Sequence, residues 1–388
     1  MEFVSRISMA GNVEQIASEL SGKPGEAFDL GVLFATTRDS SKIKNIAAHL
    51  KTKLAIRNLM GCTCAGVIGS QDEIERQAAT TLVLAKLPEV NILPFMMTQA
   101  QLEGLSALGD WHNFFEVHPG ERPIFIILPD PFMFDMNVFL SGLNQAYPGC
   151  PVVGGLASAA SSAGENTLIL NQEEWNEGVV GVVLTGNVRV ETVVSQGCRP
   201  IGETFIATKA EGNLIYTLAG KPFIEVLQVV LQQLSAADQA LAQEAVFVGI
   251  AMNEYTHQFK RGDFLIRGLM GIDQETGAGV IADYIQPGQT VQFHLRDAAT
   301  AREDLTELLS SQHAIATQKP AGALVFNCNG RGEGLFRVKN HDIQVIQKYL
   351  GPIPAAGFFC AGEIGPVGKS NFLHGFTNSI ALFYPRND

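Results

Sequence analysis

A mixed α/β fold, with largely antiparallel sheets and packed helices, is what this sequence predicts. Three observations lead there. Cys64-Ala65-Gly66-Val67-Ile68-Gly69 returns as Cys360-Ala361-Gly362-Glu363-Ile364-Gly365, with one position changed. Short apolar runs end in glycine-rich or proline-containing turns, the mark of strands. Between some of them stand apolar residues at helical spacing. The surroundings of the hexapeptide repeat as well, which points to one strand-helix-strand-loop-strand unit used at least twice.

In the first unit, Leu30 to Ala35 is a strand that breaks at Thr36-Thr37-Arg38-Asp39-Ser40-Ser41. Ser40 or Ser41 suits a helix cap. Ile43, Ile46, Ala47 and Leu50 then follow at helical spacing. Leu54 to Met60, the Cys64 loop and a strand around Leu82 complete it. The unit near the C-terminus keeps this order. Leu324 to Phe326 is its strand, Asn327 to Gly334 a polar loop, and Asp342, Val345, Ile346 and Leu350 its helix. Ala355 to Phe359, the Cys360 loop and the run Ser379 to Phe383 close it. A middle stretch follows the order more loosely, with Ile124 to Leu128, a helix to about Tyr147, and Gly154-Gly155-Leu156-Ala157. Glycine-rich loops between strands are common, so this third match stays open.

The remaining elements read as hairpins and helices. Phe205 to Lys209 and Leu214 to Leu218 flank the turn Glu211-Gly212-Asn213. Pro222 suits a first helical turn, and Phe223, Val226, Leu227, Val230 and Leu231 form an apolar stripe. Leu265 to Ile272, Val280 to Ala282 and Val291 to Leu295 are strands, and Asp297 caps a helix. These signals place a boundary near Gly220 and give two domains, 1–219 and 220–388.

Composition narrows the function. The chain has 388 residues, 46% apolar and 17% charged, enough for a sizeable core. A net charge of −12 without a basic patch excludes a phosphate-reading nucleic-acid binder. No apolar run reaches the ~18 residues of a membrane span. The N-terminus lacks the apolar core of a signal peptide, so the expected location is cytoplasmic and the six cysteines are expected reduced. Cys62 and Cys64 are too closely spaced for a zinc knuckle, and neither a metal nor a cofactor is expected.

Three constellations bear on chemistry. Gly365-Pro366-Val367-Gly368-Lys369-Ser370 resembles the end of a phosphate loop, but Glu363 stands near where phosphate would lie and no helix follows. Cys360, Glu363 and His374 could make a nucleophilic centre; against it, Cys64 holds the same place in the first copy without an acid, as a buried thiol would. A binding reading asks less. Glu363 can accept from an ammonium, and Arg331 can grip a carboxylate in bidentate fashion. Asn371, His374 and Thr377 add hydrogen bonds, and the Cys328 and Cys360 loops shape the pocket. The plain alternative is that Glu363 and Arg331 pair with each other or lie in solvent.

Gln196-Gly197-Cys198-Arg199-Pro200-Ile201-Gly202 resembles the N-terminal FIST domain. Phe326 to Gly332, Ala356 to Pro366 and Asn371-Phe372-Leu373-His374-Gly375-Phe376-Thr377 resemble the C-terminal FIST domain. The likeness runs from about Phe28 to the end. It implies an intracellular sensory module for signal transduction that binds a small ligand, an amino acid or similar polar metabolite. It transfers no catalytic residues, so an enzyme is not expected. The sequence shows no F-box before Phe28 and no output domain after the last strand, so a separate signalling protein is the expected partner. The ligand-binding residues expected are Cys328, Arg331, Cys360, Glu363, Asn371, His374 and Thr377. The alternatives are a protein-interaction scaffold without ligand and a thiol-dependent enzyme using Cys360.

Overall fold

The computed structural model describes residues 1–21, 27–256 and 258–386. It contains two compact units, a larger one of Met1–Val194 with Thr306–Asp388 and a smaller one of Ser195–Leu305. Gly220, where sequence order suggests a boundary, falls inside the smaller unit. The larger unit is discontinuous in sequence.

Within the larger unit one strand plan occurs three times. The first module runs β1 (Glu2–Ser8), α1 (Val13–Ser21), β2 (Phe28–Ala35), α2 (Ser40–Lys53), β3 (Ile56–Thr63), β4 (Gly66–Ile68), β5 (Glu73–Glu75) and β6 (Thr80–Lys86). The second runs β7 (Val90–Met97), α3 (Gln99–Glu103), α4 (Leu108–Phe115), β8 (Ile124–Pro129), α5 (Met136–Ala146), β9 (Val152–Gly155), β10 (Leu168–Leu170), β11 (Glu173–Trp175) and β12 (Val179–Gly186). The third opens with β13 (Arg189–Gln196).

The chain then forms β14 (Cys198–Glu211), β15 (Leu214–Leu218), β16 (Lys221–Pro222), α6 (Phe223–Gln232), α7 (Ala236–Glu244), β17 (Phe247–Ala251), β18 (Phe264–Ile272), β19 (Gly279–Ile281) and β20 (Thr290–Arg296). After α8 (Ala298–Ile315) the third module resumes with β21 (Gly322–Cys328), α9 (Gly332–Phe336), α10 (His341–Leu350), β22 (Ala355–Cys360), β23 (Glu363–Val367), β24 (Ser370–His374) and β25 (Thr377–Tyr384).

Each module centres a six-stranded sheet, with orders β1-β6-β2-β3-β10-β11, β7-β12-β8-β9-β23-β24 and β13-β25-β21-β22-β4-β5. The central pairs β2–β3, β8–β9 and β21–β22 are parallel. In every sheet the last two places are filled by a hairpin from another module. The first module lends β4–β5 to the third, the third lends β23–β24 to the second, and the second lends β10–β11 to the first.

One glycine requirement recurs with the plan. Gly61 lies opposite Leu33, Gly154 opposite Ile127 and Gly357 opposite Val325. At all three a Cβ would strike the facing carbonyl oxygen, so only glycine allows the strands to approach this closely.

The inner faces of the three sheets share one core, which includes Phe34, Cys62, Ile126, Val153, Phe326 and Phe358. Helices cover the outer faces; α2, for example, buries Ile43, Ile46, Ala47 and Leu50. Strands buried on both faces read as unbroken apolar runs, and each large side chain so buried contributes roughly 1.5–3 kcal/mol. Asp39 starts α2 by accepting from the Lys42 amide, and Lys51 and Lys53 lie in its last turn, where they favour the helix dipole.

The smaller unit is built differently. Its strands follow the order β14-β20-β17-β18-β19-β15-β16, and pairing of β14 with β15 closes them into an antiparallel barrel. The stripe Phe223, Val226, Leu227 and Val230 of α6 packs into its core.

Candidate functional site

The expected site residues gather at the carboxyl ends of β21 and β22, where open α/β sheets bind ligands. Cys328 and Cys360 are opposite one another in the parallel register. Cys360 follows Phe358 into the shared core, and Cys328 is buried as well. Burial pushes both thiols up, with the nearby Glu363 carboxyl adding to the effect. Cys62, Cys64 and Cys328 also raise Cys360. A thiol held neutral is a poor nucleophile, and the Cys360 thiol donates to the Phe358 carbonyl at 3.4 Å. All six cysteines are buried and none is in a disulfide among the described residues.

Glu363 is fully buried at the start of β23. Its Oε2 accepts from the Thr377 amide at 3.0 Å and from the Thr377 hydroxyl at 2.8 Å. Its Oε1 has no hydrogen-bond partner among the described residues. Burial outweighs the Thr377 hydrogen bonds, the Arg331 charge and the contact with the Cys328 thiol, and pushes the carboxyl up to about 8. Near neutral pH it is therefore largely protonated.

Arg331 is buried too, with 1% of its surface exposed. Its bidentate partner is Asp342, at 2.8 and 3.0 Å, rather than a ligand or Glu363. The guanidinium also lies over the Phe336 ring, which stacks on His341. His341 Nδ1 reaches Asp342 at 2.9 Å. Burial alone would raise Asp342, but Arg331 and His341 overcome it and hold this carboxyl well below the usual range. Asn327 adds a hydrogen bond to Asp342 at 2.9 Å.

The lent hairpin β4–β5 supplies two further acids. Glu73 accepts from the Ile343 amide in the first turn of α10 at 2.7 Å. Burial and the neighbouring Asp342 push its carboxyl up. Glu75 accepts from the Glu333 amide of α9 at 2.8 Å. Neither acid is apparent from sequence as part of the site, since both lie in a short polar stretch of another module. Asp342 had a legible signal: it falls on the apolar stripe with Ile346 and Leu350, and an acid there calls for a buried cation.

Asn371 and His374 lie on β24 and serve the hairpin. Asn371 accepts from the Val152 amide at 2.8 Å and donates to the Cys150 carbonyl and Asn144. Asn144 returns two hydrogen bonds to the Asn371 backbone. His374 faces Glu363 in the β23–β24 register, and its Nε2 is 3.0 Å from the Gly365 carbonyl. Cys328, Cys360, Glu363 and Thr377 thus form one group, Arg331 with Asp342 a second beside it, and Asn371 holds β24 to the second module. The phosphate-loop-like run Gly365 to Ser370 forms the β23–β24 turn. Among the described residues, no group of His, Cys, Asp and Glu is arranged to hold a metal ion, and no helix is long and apolar enough to cross a membrane.

An α/β body with a buried polar cluster at parallel strand ends, joined in sequence to an antiparallel barrel, describes a two-unit protein. The chain belongs to the FIST family: the FIST N domain matches residues 29–221 and the FIST C domain residues 224–366. FIST domains are sensory domains of signal transduction. The chain is similar to an uncharacterized protein of Mycobacterium tuberculosis (strain CDC 1551 / Oshkosh), 37% identical over 97% of this chain and 98% of that one. An uncharacterized protein of Mycobacterium bovis (strain ATCC BAA-935 / AF2122/97) is 38% identical over 96% of each.

Proposed function

We propose that this protein senses a small polar metabolite, with an amino acid as the best fit, at the cluster around Glu363. The observation that carries the reading is the Glu363 carboxyl, fully buried with Oε1 unpartnered. An unpaired buried polar atom costs about 1–3 kcal/mol, which a ligand ammonium would recover. Cys328, Cys360, His374 and Thr377 border that position. Arg331 supplies the opposite charge if the ligand carboxylate competes with Asp342, and Asn371 contributes by fixing β24. Closure of the cluster means that binding requires movement. Arg337, Asn340 and Phe376 hold left-handed backbone angles around it, a kind of strain that collects at switching segments. Such a movement would carry the signal to a separate protein partner.

Titration calorimetry with the twenty L-amino acids and succinate tests this. Bound ammonium would ionise Glu363, so at pH 7 binding should release close to one proton and the heat should vary with buffer ionisation enthalpy. At ~100 times its Kd a ligand should also stabilise the fold by about 2.7 kcal/mol. Glu363→Gln should abolish the proton release and weaken binding; unchanged affinity in that variant refutes the site. The scaffold alternative draws support from Val229, Met270 and Tyr284, large apolar side chains exposed on the smaller unit. It expects no heat from any small molecule.

A further inference from the structure

The three strand-end positions of the larger unit are not equally occupied. In the third module Arg331 and Asp342 pair with each other there, and Glu73 beside them accepts from the Ile343 amide. In the second, Asp130 is fully buried, accepts from the Phe132 and Met133 amides, and meets Asn166 at 3.3 Å. In the first, a cleft of about 540 Å³ opens where the lent hairpin β10–β11 passes the start of α2. Small-molecule sites commonly have volumes of ~300–1,000 Å³.

The side chains around this cleft have hydrogen-bonding capacity to spare. Arg38 uses its Nε on the Ala159 carbonyl at 2.8 Å, which leaves both terminal nitrogens without a partner among the described residues. Trp175, half-buried, forms part of the wall. Ser40 and Asn176 line the same space. Of the nearby acids, Asp39 is committed to capping α2 and Glu174 to Lys44 at 3.2 Å. Glu165, also in the lining, has no such partner. Donors thus predominate around one free carboxylate.

We infer that this cleft is a second binding site, independent of the Glu363 cluster, for a small carboxylate that also carries a hydrogen-bond donor. The ligand carboxylate accepts from Arg38, beside the Trp175 ring that lines the cleft. Its ammonium or hydroxyl group donates to Glu165, and Ser40 and Asn176 complete the shell. A simple anion is disfavoured because Glu165 would face it without a donor. Amino acids, hydroxy acids and sugar acids share this chemistry.

Tryptophan fluorescence gives a local readout, because the chain has two tryptophans and Trp111→Phe leaves only Trp175. The probes are glycine, lactate, glucuronate and propionate, the last lacking a donor. At least one of the first three should give a saturable change by ~10 mM, in the weak range typical of small ligands. Propionate should bind about tenfold more weakly, and Arg38→Gln should lower the affinity of the responding probe about tenfold. Calorimetry on the otherwise unaltered chain repeats the comparison if Trp111→Phe does not fold. Glu363→Gln should leave the Trp175 fluorescence response in place. Silence from glycine, lactate and glucuronate in both measurements overturns the inference, and so does a response unmoved by Arg38→Gln. A response lost in Glu363→Gln but kept in Arg38→Gln also overturns it, while favouring the buried cluster.

Discussion

Burial raises both Glu363 and Asp342, yet their net shifts are opposite, because only Asp342 has a guanidinium in bidentate contact. Glu363 is raised in the folded state, so its contribution to stability is fully present below about 4.5 and is lost as pH rises through about 8. Asp342 is lowered, so its contribution is present above 3.8 and is lost on acidification. Glu363→Gln should therefore flatten the alkaline limb of the stability curve. At pH 8–9 the variant should be the more stable protein, by on the order of 2–4 kcal/mol. Urea unfolding across pH 5–9 measures this, and parallel curves for the two proteins would contradict it. Asp342→Asn acts in the other direction. It leaves Arg331 buried without its counter-charge and should cost about 3–5 kcal/mol at pH 7. Thermal unfolding within a degree or two of the parent would show that Arg331 is held by other means.

The lent hairpins explain both what sequence conveys about this fold and what it withholds. The hexapeptides at Cys64 and Cys360 sit at the same place in their modules, after the second parallel strand. Their common residues answer to common backbone geometry, and Glu363 replaces Val67 because its side chain meets Thr377 and Cys328. In the second module Ala157 stands where the others have cysteine, so a match by residue identity fades although the Gly154 contact persists. Strands are legible from apolar alternation and glycine, but the sheet a strand joins is not. Gly66 to Ile68 pairs with β22, nearly three hundred residues away, through only two paired residues. The same limit hides Glu73 and Glu75. Asn371 has polarity that suits a ligand or a lock equally well, and its contacts to Val152, Cys150 and Asn144 make it a lock. Asn371→Ala would strand the Val152 amide and Cys150 carbonyl and should destabilise the fold by roughly 2–4 kcal/mol even without ligand. An unchanged urea midpoint would mean that the Asn144 contacts alone secure β24.

Exchange of hairpins around a closed ring of three modules has a consequence for the larger unit as a whole. Each sheet is completed by strands from one neighbour, and each module gives strands to the other. No module can unfold without exposing an edge of β3, β9 or β22 in a sheet that is not its own. The shared core adds to this, since Phe34, Ile126 and Phe326 come from different modules but belong to one cluster. Contacts made between segments far apart in sequence are lost together when any one segment leaves. Amides in β2, β8 and β21 should therefore exchange with solvent through one common opening of nearly equal free energy. Native-state hydrogen exchange under rising denaturant would show their curves merging, and Gly357→Ala, which forces β22 against the Val325 carbonyl, should lower all three together. Loss of protection in β21 alone would show that the modules open separately, despite their shared strands.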